Sequence, residues 1–291
     1  MQTTIMPYLK EKEKTVLLIN EMDLDSKEAI EKKKSNNDNT RIFGKCEATL
    51  IPRYGVIHVK NAFSDEGQQR VWNLLKPRIS DPSNKSTGFH CFNICHKDHK
   101  NRKPVKRLKE VDYYAKLLFE RTAEEFVKLN FDSSNEPSYQ RLESLANGSK
   151  PFRSGQQFGN YYRADASLEN HLDSEEILFT MTLSIGDDCE FHIGKPSKRS
   201  GSNRRMGERS GKVEKIIMKS GDAVFFDGGS CPHHVIRMIK DTAPSWWNKM
   251  KVPNGSRLVV VMREQEESFL KALKLRAKQK KAQQKKTTNQ G

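Results

Sequence analysis

The sequence predicts an α+β protein whose core is a sandwich or jelly-roll of antiparallel strands, with helices supporting one face. From residue 157 onward, short runs of β-forming residues alternate with Gly, Asp, Ser and Pro. Before that point, two stretches repeat apolar residues at helical spacing. Of the 291 residues 35% are hydrophobic, which is enough for one core and leaves some segments solvated.

The elements follow in chain order. Residues 1–50 show no sustained period, and we interpret them as a polar N-terminal arm with one short helix capped by Ser26. The predicted domain covers 51–265. It begins with the β-branched run YGVIHVKNAF, and Ser64 then opens a helix with apolar residues at Val71, Leu74 and Leu75.

A second helix is predicted over 107–130, where five apolar positions form a broad stripe that should pack on a sheet: Leu108, Val111, Leu118, Phe126 and Leu129. The strands follow from 157. Their sequences are FGNYYR, ILFTMTLSI, CEFHIG, VEKIIM, DAVFFD, HHVIRM and RLVVVMR.

The charge of the chain indicates a polyanionic partner. There are 52 Lys and Arg residues against 37 Asp and Glu, a net charge of +15, and basic side chains that contact phosphates release condensed counterions. Five irregularly spaced cysteines favour a reducing compartment over a disulfide scaffold. A chain without a long apolar run or signal sequence is not expected to bind or cross a membrane.

Two further segments are strongly basic. Residues 194–212 join two strands as a Lys-, Arg-, Gly- and Ser-rich loop. Residues 266–291 begin as a helix and end as a basic tail, either a solvated helix or a nucleic-acid contact or nuclear-targeting signal. We therefore expect the protein to be located in the nucleus, with the cytoplasm as the alternative. We also expect it to be a monomer whose arm and tail can bind protein partners.

The chemically informative residues are His171 and Asp173, followed later by the adjacent pair His233 and His234. Two histidines and one carboxylate are the ligands of a facial triad that leaves positions open on Fe(II). In a strand, residues two apart share a face, so His171 and Asp173 can both point inward. We predict His234 as the second histidine because regular alternation puts it on the face of Met238, whereas His233 falls on the face of a charged residue.

Two arginines on the last strand, Arg257 and Arg263, are six residues apart and so share a face with Val259 and Val261. Inward-facing arginines on a core strand need an anion. A dicarboxylate co-substrate would supply carboxylates for bidentate pairing.

These residues carry a resemblance. The segments NYYRADASLENHLDSEE, KSGDAVFFDGGSCPHHVI and RLVVVMR are similar, in this order, to the AlkB family of Fe(II)/2-oxoglutarate dioxygenases, and most similar to the AlkB homologue one branch. The resemblance covers about 54–265. It departs from the family pattern at Val259, where the family has a polar residue, and in a longer stretch before Arg257 that contains Trp246 and Trp247.

The resemblance implies a double-stranded β-helix (jelly-roll) core and an oxidative demethylase of N-methylated bases in DNA or RNA. It implies Fe(II) at His171, Asp173 and His234, O2 as oxidant, and Glu175 in contact with the target base. It also implies four residues that hold the co-substrate 2-oxoglutarate: Asn160, Tyr162, Arg257 and Arg263. Formaldehyde and succinate would be released, and the base would have to leave its stack.

Residues 83–107 are the candidate nucleotide-recognition lid, because Phe89 and Phe92 stand among seven Lys and Arg residues. The two aromatic residues are equally compatible with loop anchors. The same stretch contains His90, Cys91, Cys95, His96 and His99, whose spacing is unusual for structural zinc.

Two other functions stay open from the sequence. A hydroxylase or demethylase of proteins uses the same chemistry, although a chain of charge +15 repels a Lys-rich protein substrate. The second alternative is a non-catalytic nucleic-acid-binding module with a degenerate core, which would bind nucleic acid without a metal ion. The modified base, and the choice between DNA and RNA, are not determined.

Overall fold

The computed structural model describes nine ranges: 15–19, 46–51, 54–79, 89–93, 152, 154–174, 177–194, 204–205 and 213–265. Three predicted elements lie outside these residues: the short helix from Ser26, the helix over 107–130 and the basic tail 266–291. In the described part, no helix is long and apolar enough to cross a membrane.

Thirteen strands form two antiparallel sheets in the described residues. The larger sheet has the order β1-β2-β3-β11-β7-β13-β5-β4 and the smaller β10-β8-β12-β6-β9. The larger sheet contains β1 (Thr15–Ile19), β2 (Cys46–Ile51), β3 (Val56–Lys60), β4 (Phe89–Asn93), β5 (Ser154–Tyr162), β7 (Ile177–Gly186), β11 (Ala223–Phe226) and β13 (Arg257–Gln265). The smaller contains β6 (Leu168–Leu172), β8 (Asp188–Gly194), β9 (Arg204–Arg205), β10 (Val213–Met218) and β12 (His233–Ile239).

From β5 onward the chain repeatedly changes sheet, although β8, β9 and β10 all lie in the smaller one. The chain passes from β5 to β6, β7 to β8, β10 to β11 and β12 to β13 by changing sheet, which is consistent with the predicted jelly-roll. All seven strands predicted from residue 157 onward are present, and their inward residues form one apolar layer between the sheets that includes Phe191, Phe226 and Val235. The site described below lies in this layer.

The N-terminal prediction needs correction. Residues 46–51 form a buried strand that pairs with β3, and Thr15–Ile19 pairs with it in turn, so part of the predicted arm extends the larger sheet. Runs of five or six β-formers between polar stretches are too short to establish a period by themselves. Strand pairing makes them regular, because it satisfies their backbone donors and acceptors.

The predicted helix after Ser64 is present as α1 (Asp65–Ile79). The hydroxyl of Ser64 accepts a hydrogen bond from the N–H of Gly67 at 3.1 Å, which caps the helix. Its apolar face buries Trp72 and Leu75 in the second apolar cluster, on the outer side of the larger sheet. The indole of Trp72 lies 4.5 Å from that of Trp247, so this helix supports the segment that leads into β13.

Candidate active site

Two strands of the smaller sheet bring two histidines and a carboxylate together. His171 lies near the end of β6, Asp173 follows that strand, and His233 begins β12 directly opposite His171. One ligand atom from each lies within 4.8 Å of the others. Among the described residues, this is the group with donors and spacing suited to a metal ion.

The choice between the adjacent histidines is corrected by the structure: His233, not His234, completes the cluster. A β-bulge makes the difference, because Val235 pairs with Phe191 and Arg237 pairs with Glu190, leaving one extra residue between them. The bulge reverses the alternation that linked His234 to Met238 in the sequence prediction. His234 instead faces the outer side, with its ring 5.1 Å from that of His192.

Main-chain carbonyls hold both ligand imidazoles in one orientation. Nδ1 of His171 lies 2.8 Å from the carbonyl oxygen of Glu169, and Nδ1 of His233 lies 2.9 Å from that of Cys231. Since a carbonyl only accepts, each Nδ1 donates and each Nε2 keeps the lone pair that a metal needs. Burial and the neighbouring His171 lower the pKa of His233 to about 3, so this imidazole is neutral.

Asp173 is the most buried member of the cluster, with 1% of its surface exposed. Its carboxylate accepts hydrogen bonds from the Arg263 guanidinium and, at 3.2 Å, from the Thr180 hydroxyl. Burial by itself raises the pKa of Asp173, but the Arg263 guanidinium outweighs it and, together with the Thr180 hydrogen bond, holds the pKa below its usual value. The carboxylate is therefore ionised and ready to bind a cation.

A pocket runs from this cluster between the two sheets. Arg257 and Arg263, at the two ends of β13, both face it together with Val259 and Val261. From β5, Asn160 and Tyr162 line the same space, and so do His171 and His233. All four residues expected to contact the co-substrate thus surround one cavity, whereas His234 does not line it.

Arg257 is fully buried at the far end of the pocket. Its Nη1 donates to the carbonyl oxygens of Asp187 at 2.9 Å and Met218 at 3.0 Å, and its Nη2 donates to the Ser184 hydroxyl. These acceptors are uncharged. Within the described part of the chain no carboxylate hydrogen-bonds this guanidinium, so an incoming anion can pair with it directly.

The donors of the pocket fit a metal and a dicarboxylate. Four buried polar atoms of residues that line the pocket lack a hydrogen-bond partner among the described residues: Oδ1 of Asn160, Oγ1 of Thr182, Nε of Arg257 and Nε of Arg263. Buried polar groups are normally paired, and a ligand with a carboxylate at each end would accept hydrogen bonds from the two arginine Nε–H donors. The middle of the pocket is apolar, with Val259 where the resemblance expects a polar residue, so the contacts concentrate at the two ends.

Several predicted site residues are only partly described. Phe89 and Phe92 lie on β4, whose backbone pairs with β5 opposite Tyr162 and Gly159. Glu175 lies outside the described residues, as do Cys95, His96 and His99 of the unusual zinc pattern. Their predicted roles stay predictions.

Sequence reasoning missed Thr180, Ser184 and Asp187. Thr180 binds the metal-site carboxylate, and the other two contact Arg257. Polar residues within or just after an apolar strand run were the available signal, because a buried hydroxyl or carboxylate needs a partner.

Comparison with known proteins agrees with this geometry. The family model of the 2OG-Fe(II) oxygenase superfamily matches residues 56–263. The chain therefore belongs to that superfamily, whose cofactor is Fe(II) and whose co-substrate is 2-oxoglutarate. No curated protein sequence matches it.

The solved structures similar to this chain have low sequence identity to it. OsALKBH1 is 18% identical with a TM-score of 0.54, over 73% of this chain and 99% of that one. A 2OG-Fe(II) oxygenase family oxidoreductase from Burkholderia pseudomallei is 13% identical with a TM-score of 0.38, over 72% and 83%. A Pseudomonas putida prolyl-4-hydroxylase is 11% identical with a TM-score of 0.38, over 73% and 94%.

Proposed function

We propose that the protein is an oxidative demethylase of N-methylated bases in DNA or RNA. The observation that carries the proposal is that β4 and β9, the described strands of two basic segments, pair with β5 and β6, whose residues line the candidate active site. The AlkB-like order of site residues supports the same reaction, as does the fold shared with OsALKBH1, an AlkB homologue.

His171, Asp173 and His233 would hold Fe(II). Asn160 and Arg263 would contact the end of 2-oxoglutarate nearer the metal, and Tyr162 and Arg257 the distal carboxylate. When bound, this pair supplies the oxidant: O2 converts 2-oxoglutarate to succinate and CO2, and its second oxygen atom enters a C–H bond.

On an N-methyl group this insertion gives an N-hydroxymethyl group. Its C–N bond then breaks, releasing formaldehyde, and the base nitrogen keeps the proton from the hydroxyl. The protein's contribution is to orient the reactants and limit water. Arg257 and Asp173 are almost fully enclosed, whereas His171 exposes 18% of its side chain, so a substrate would approach on the His171 side.

The positive charge is concentrated in three segments. Residues 83–107 and 194–212 each contain seven Lys or Arg against one acidic residue, and 266–291 contains eight against two. Each segment has a net charge of +6, so the rest of the chain is close to neutral although the whole carries +15. A localised charge of this kind favours a polyanion over a basic protein as substrate.

Two of these segments join the sheets beside the site. β4, inside 83–107, pairs with β5, and Cys91 stands opposite Asn160. β9, inside 194–212, pairs with β6, and Arg205 stands opposite His171. β4 and β9 are the edge strands next to β5 and β6, and these two consecutive strands both contribute residues to the pocket. A nucleic-acid strand lying there would present an unstacked base to the metal site.

The test supplies Fe(II), 2-oxoglutarate and O2 with oligonucleotides that carry N1-methyladenine, N3-methylcytosine or N6-methyladenine. Formaldehyde release and loss of the methyl group by mass spectrometry are measured together. We expect turnover by the wild type, none by His233→Ala, and near wild-type turnover by His234→Ala. The last variant is a matched control, since it removes the adjacent imidazole on the other face of the strand.

The alternatives give different results. Succinate formation stimulated by peptides and indifferent to every oligonucleotide would indicate a protein substrate. Oligonucleotide binding that survives chelation, without any 2-oxoglutarate turnover, would indicate a non-catalytic binding module. Either result would refute the proposed demethylase.

A further inference from the structure

Asp187, in the turn between β7 and β8, uses its polar groups to bind the segment that precedes β13 and also Arg257 at the start of that strand. Asp187 is 1% exposed. Its N–H donates to the carbonyl oxygen of Ser256 at 3.0 Å, and its carbonyl oxygen accepts from Arg257. Asp187 therefore contacts the main chain immediately before Arg257 and the guanidinium itself.

The carboxylate of Asp187 binds both ends of the same segment. Its Oδ1 accepts hydrogen bonds from the N–H groups of Thr242 at 3.0 Å and Ala243 at 3.1 Å. Its Oδ2 accepts from the N–H of Gly255 at 2.9 Å. Three main-chain donors on one buried carboxylate are charge-assisted hydrogen bonds, which are stronger than neutral ones.

The bridged segment is the long stretch between β12 and β13. It contains the short helix α2 (Ser245–Lys249), whose Trp247 is 1% exposed and packs against α1. The fit at the turn is close, since a Cβ on Gly186 would lie 2.6 Å from the carbonyl oxygen of Ser256. Movement of this segment therefore moves the turn, and with it the carbonyl that Arg257 binds.

We propose that Asp187 is a positioning residue for the co-substrate: its carboxylate fixes the segment before β13, and its carbonyl aims the Arg257 guanidinium into the pocket. The inference concerns 2-oxoglutarate, which follows from the family. It does not depend on the nucleic-acid substrate proposed above. Its consequence is specific, because Arg257 faces the end of the pocket away from the metal cluster and so acts on the distal carboxylate alone.

The experiment compares two oxoacids on the Mn(II)-loaded protein. 2-Oxoglutarate has a distal carboxylate and 2-oxobutanoate lacks it, while both have the same oxoacid end. Dissociation constants are measured by isothermal titration calorimetry for the wild type and for Asp187→Asn, whose amide nitrogen can no longer accept from the main-chain N–H groups.

We expect Asp187→Asn to weaken 2-oxoglutarate binding about tenfold and to change 2-oxobutanoate binding less than twofold. Asp241→Asn is the matched control: it makes the same chemical change in the same segment, at an exposed residue that binds Asn254 at 2.7 Å. It should leave both constants unchanged. General damage to the fold would weaken both oxoacids equally and also reduce Mn(II) affinity.

If Asp187→Asn does not fold, Ser184→Ala provides the second test. It removes the hydroxyl acceptor from the same guanidinium without touching the bridged segment, and it should reduce the preference for 2-oxoglutarate over 2-oxobutanoate several-fold. If Asp187→Asn folds and keeps the wild-type preference for 2-oxoglutarate over 2-oxobutanoate, the proposal is overturned. If Ser184→Ala is used instead, an unchanged preference in Ser184→Ala overturns it.

Discussion

Replacing Gly228 by alanine would place a methyl group against the metal-site carboxylate. A Cβ at this position would lie 2.3 Å from Oδ2 of Asp173 and 2.7 Å from the Thr180 hydroxyl. Ordinary van der Waals contact begins at 3.4 Å. The carboxylate would thus have to move by about 1 Å, and the backbone cannot simply withdraw, because the N–H of Asp173 donates to the carbonyl oxygen of Gly228 at 2.8 Å.

The magnitude follows from that displacement. Overpacking in a filled interior costs about 1–3 kcal/mol of stability, and a 1 Å misplacement of a functional group can cost about 100-fold in function. We therefore expect Gly228→Ala to lose about 1–3 kcal/mol in the free energy of unfolding and to bind Co(II) about 100-fold more weakly. The assays are urea denaturation of the metal-free protein and titration of Co(II) followed by its visible absorption.

Gly194→Ala is the matched control for this substitution. Among the described residues its Cβ would meet no heavy atom closer than 3.5 Å, an ordinary contact with the carbonyl oxygen of Pro232. It should therefore bind Co(II) like the wild type. Normal Co(II) affinity in a stably folded Gly228→Ala protein would refute the placement of Asp173 against Gly228, and with it the account of the metal site.

Three further predictions concern stability. His233 is neutral in the folded metal-free protein, where burial lowers its pKa to about 3, and it takes up a proton near pH 6.5 when unfolded. The free energy of unfolding should therefore fall as the pH drops from about 6.5 towards 3. Urea titrations at several pH values should show a weaker pH dependence for His233→Gln than for the wild type. Gly186→Ala should lower the free energy of unfolding by roughly 2–4 kcal/mol, because the residue has φ +108° and its Cβ would lie 2.6 Å from a main-chain oxygen. A decrease in urea denaturation as small as that of Gly194→Ala would contradict this. Ser64→Ala should cost about 0.5–2 kcal/mol by removing the cap of α1, whereas Ser64→Asp, which can cap as well, should unfold at nearly the wild-type urea concentration.

Much of the site was predictable because its chemistry is local. The pair His171 and Asp173 combines two ligand types at the spacing that strand geometry favours, and Arg257 and Arg263 have the even spacing of a shared face. The seven strands from residue 157 were also predictable from the sequence, since each is a run of β-forming residues between turn residues. Both arginines line one pocket, as their shared face implied, together with Asn160 and Tyr162, which the family resemblance had indicated.

Tertiary structure decided what depends on register and on distant partners. A one-residue bulge in β12 puts His233 inside and His234 outside, and no alternation rule applied to the sequence contains that extra residue. The strands at Thr15–Ile19 and Cys46–Ile51 become regular only by pairing with β3 and with each other. Asp187 is 70 residues before Arg257, yet it binds both that arginine and the segment leading to it. Residue types and short-range periods are properties of the chain alone. Register, bulges and long-range hydrogen bonds exist only once two strands or loops are packed together. For this reason the sequence indicated the chemistry of the site, and the tertiary structure determined which residues complete it.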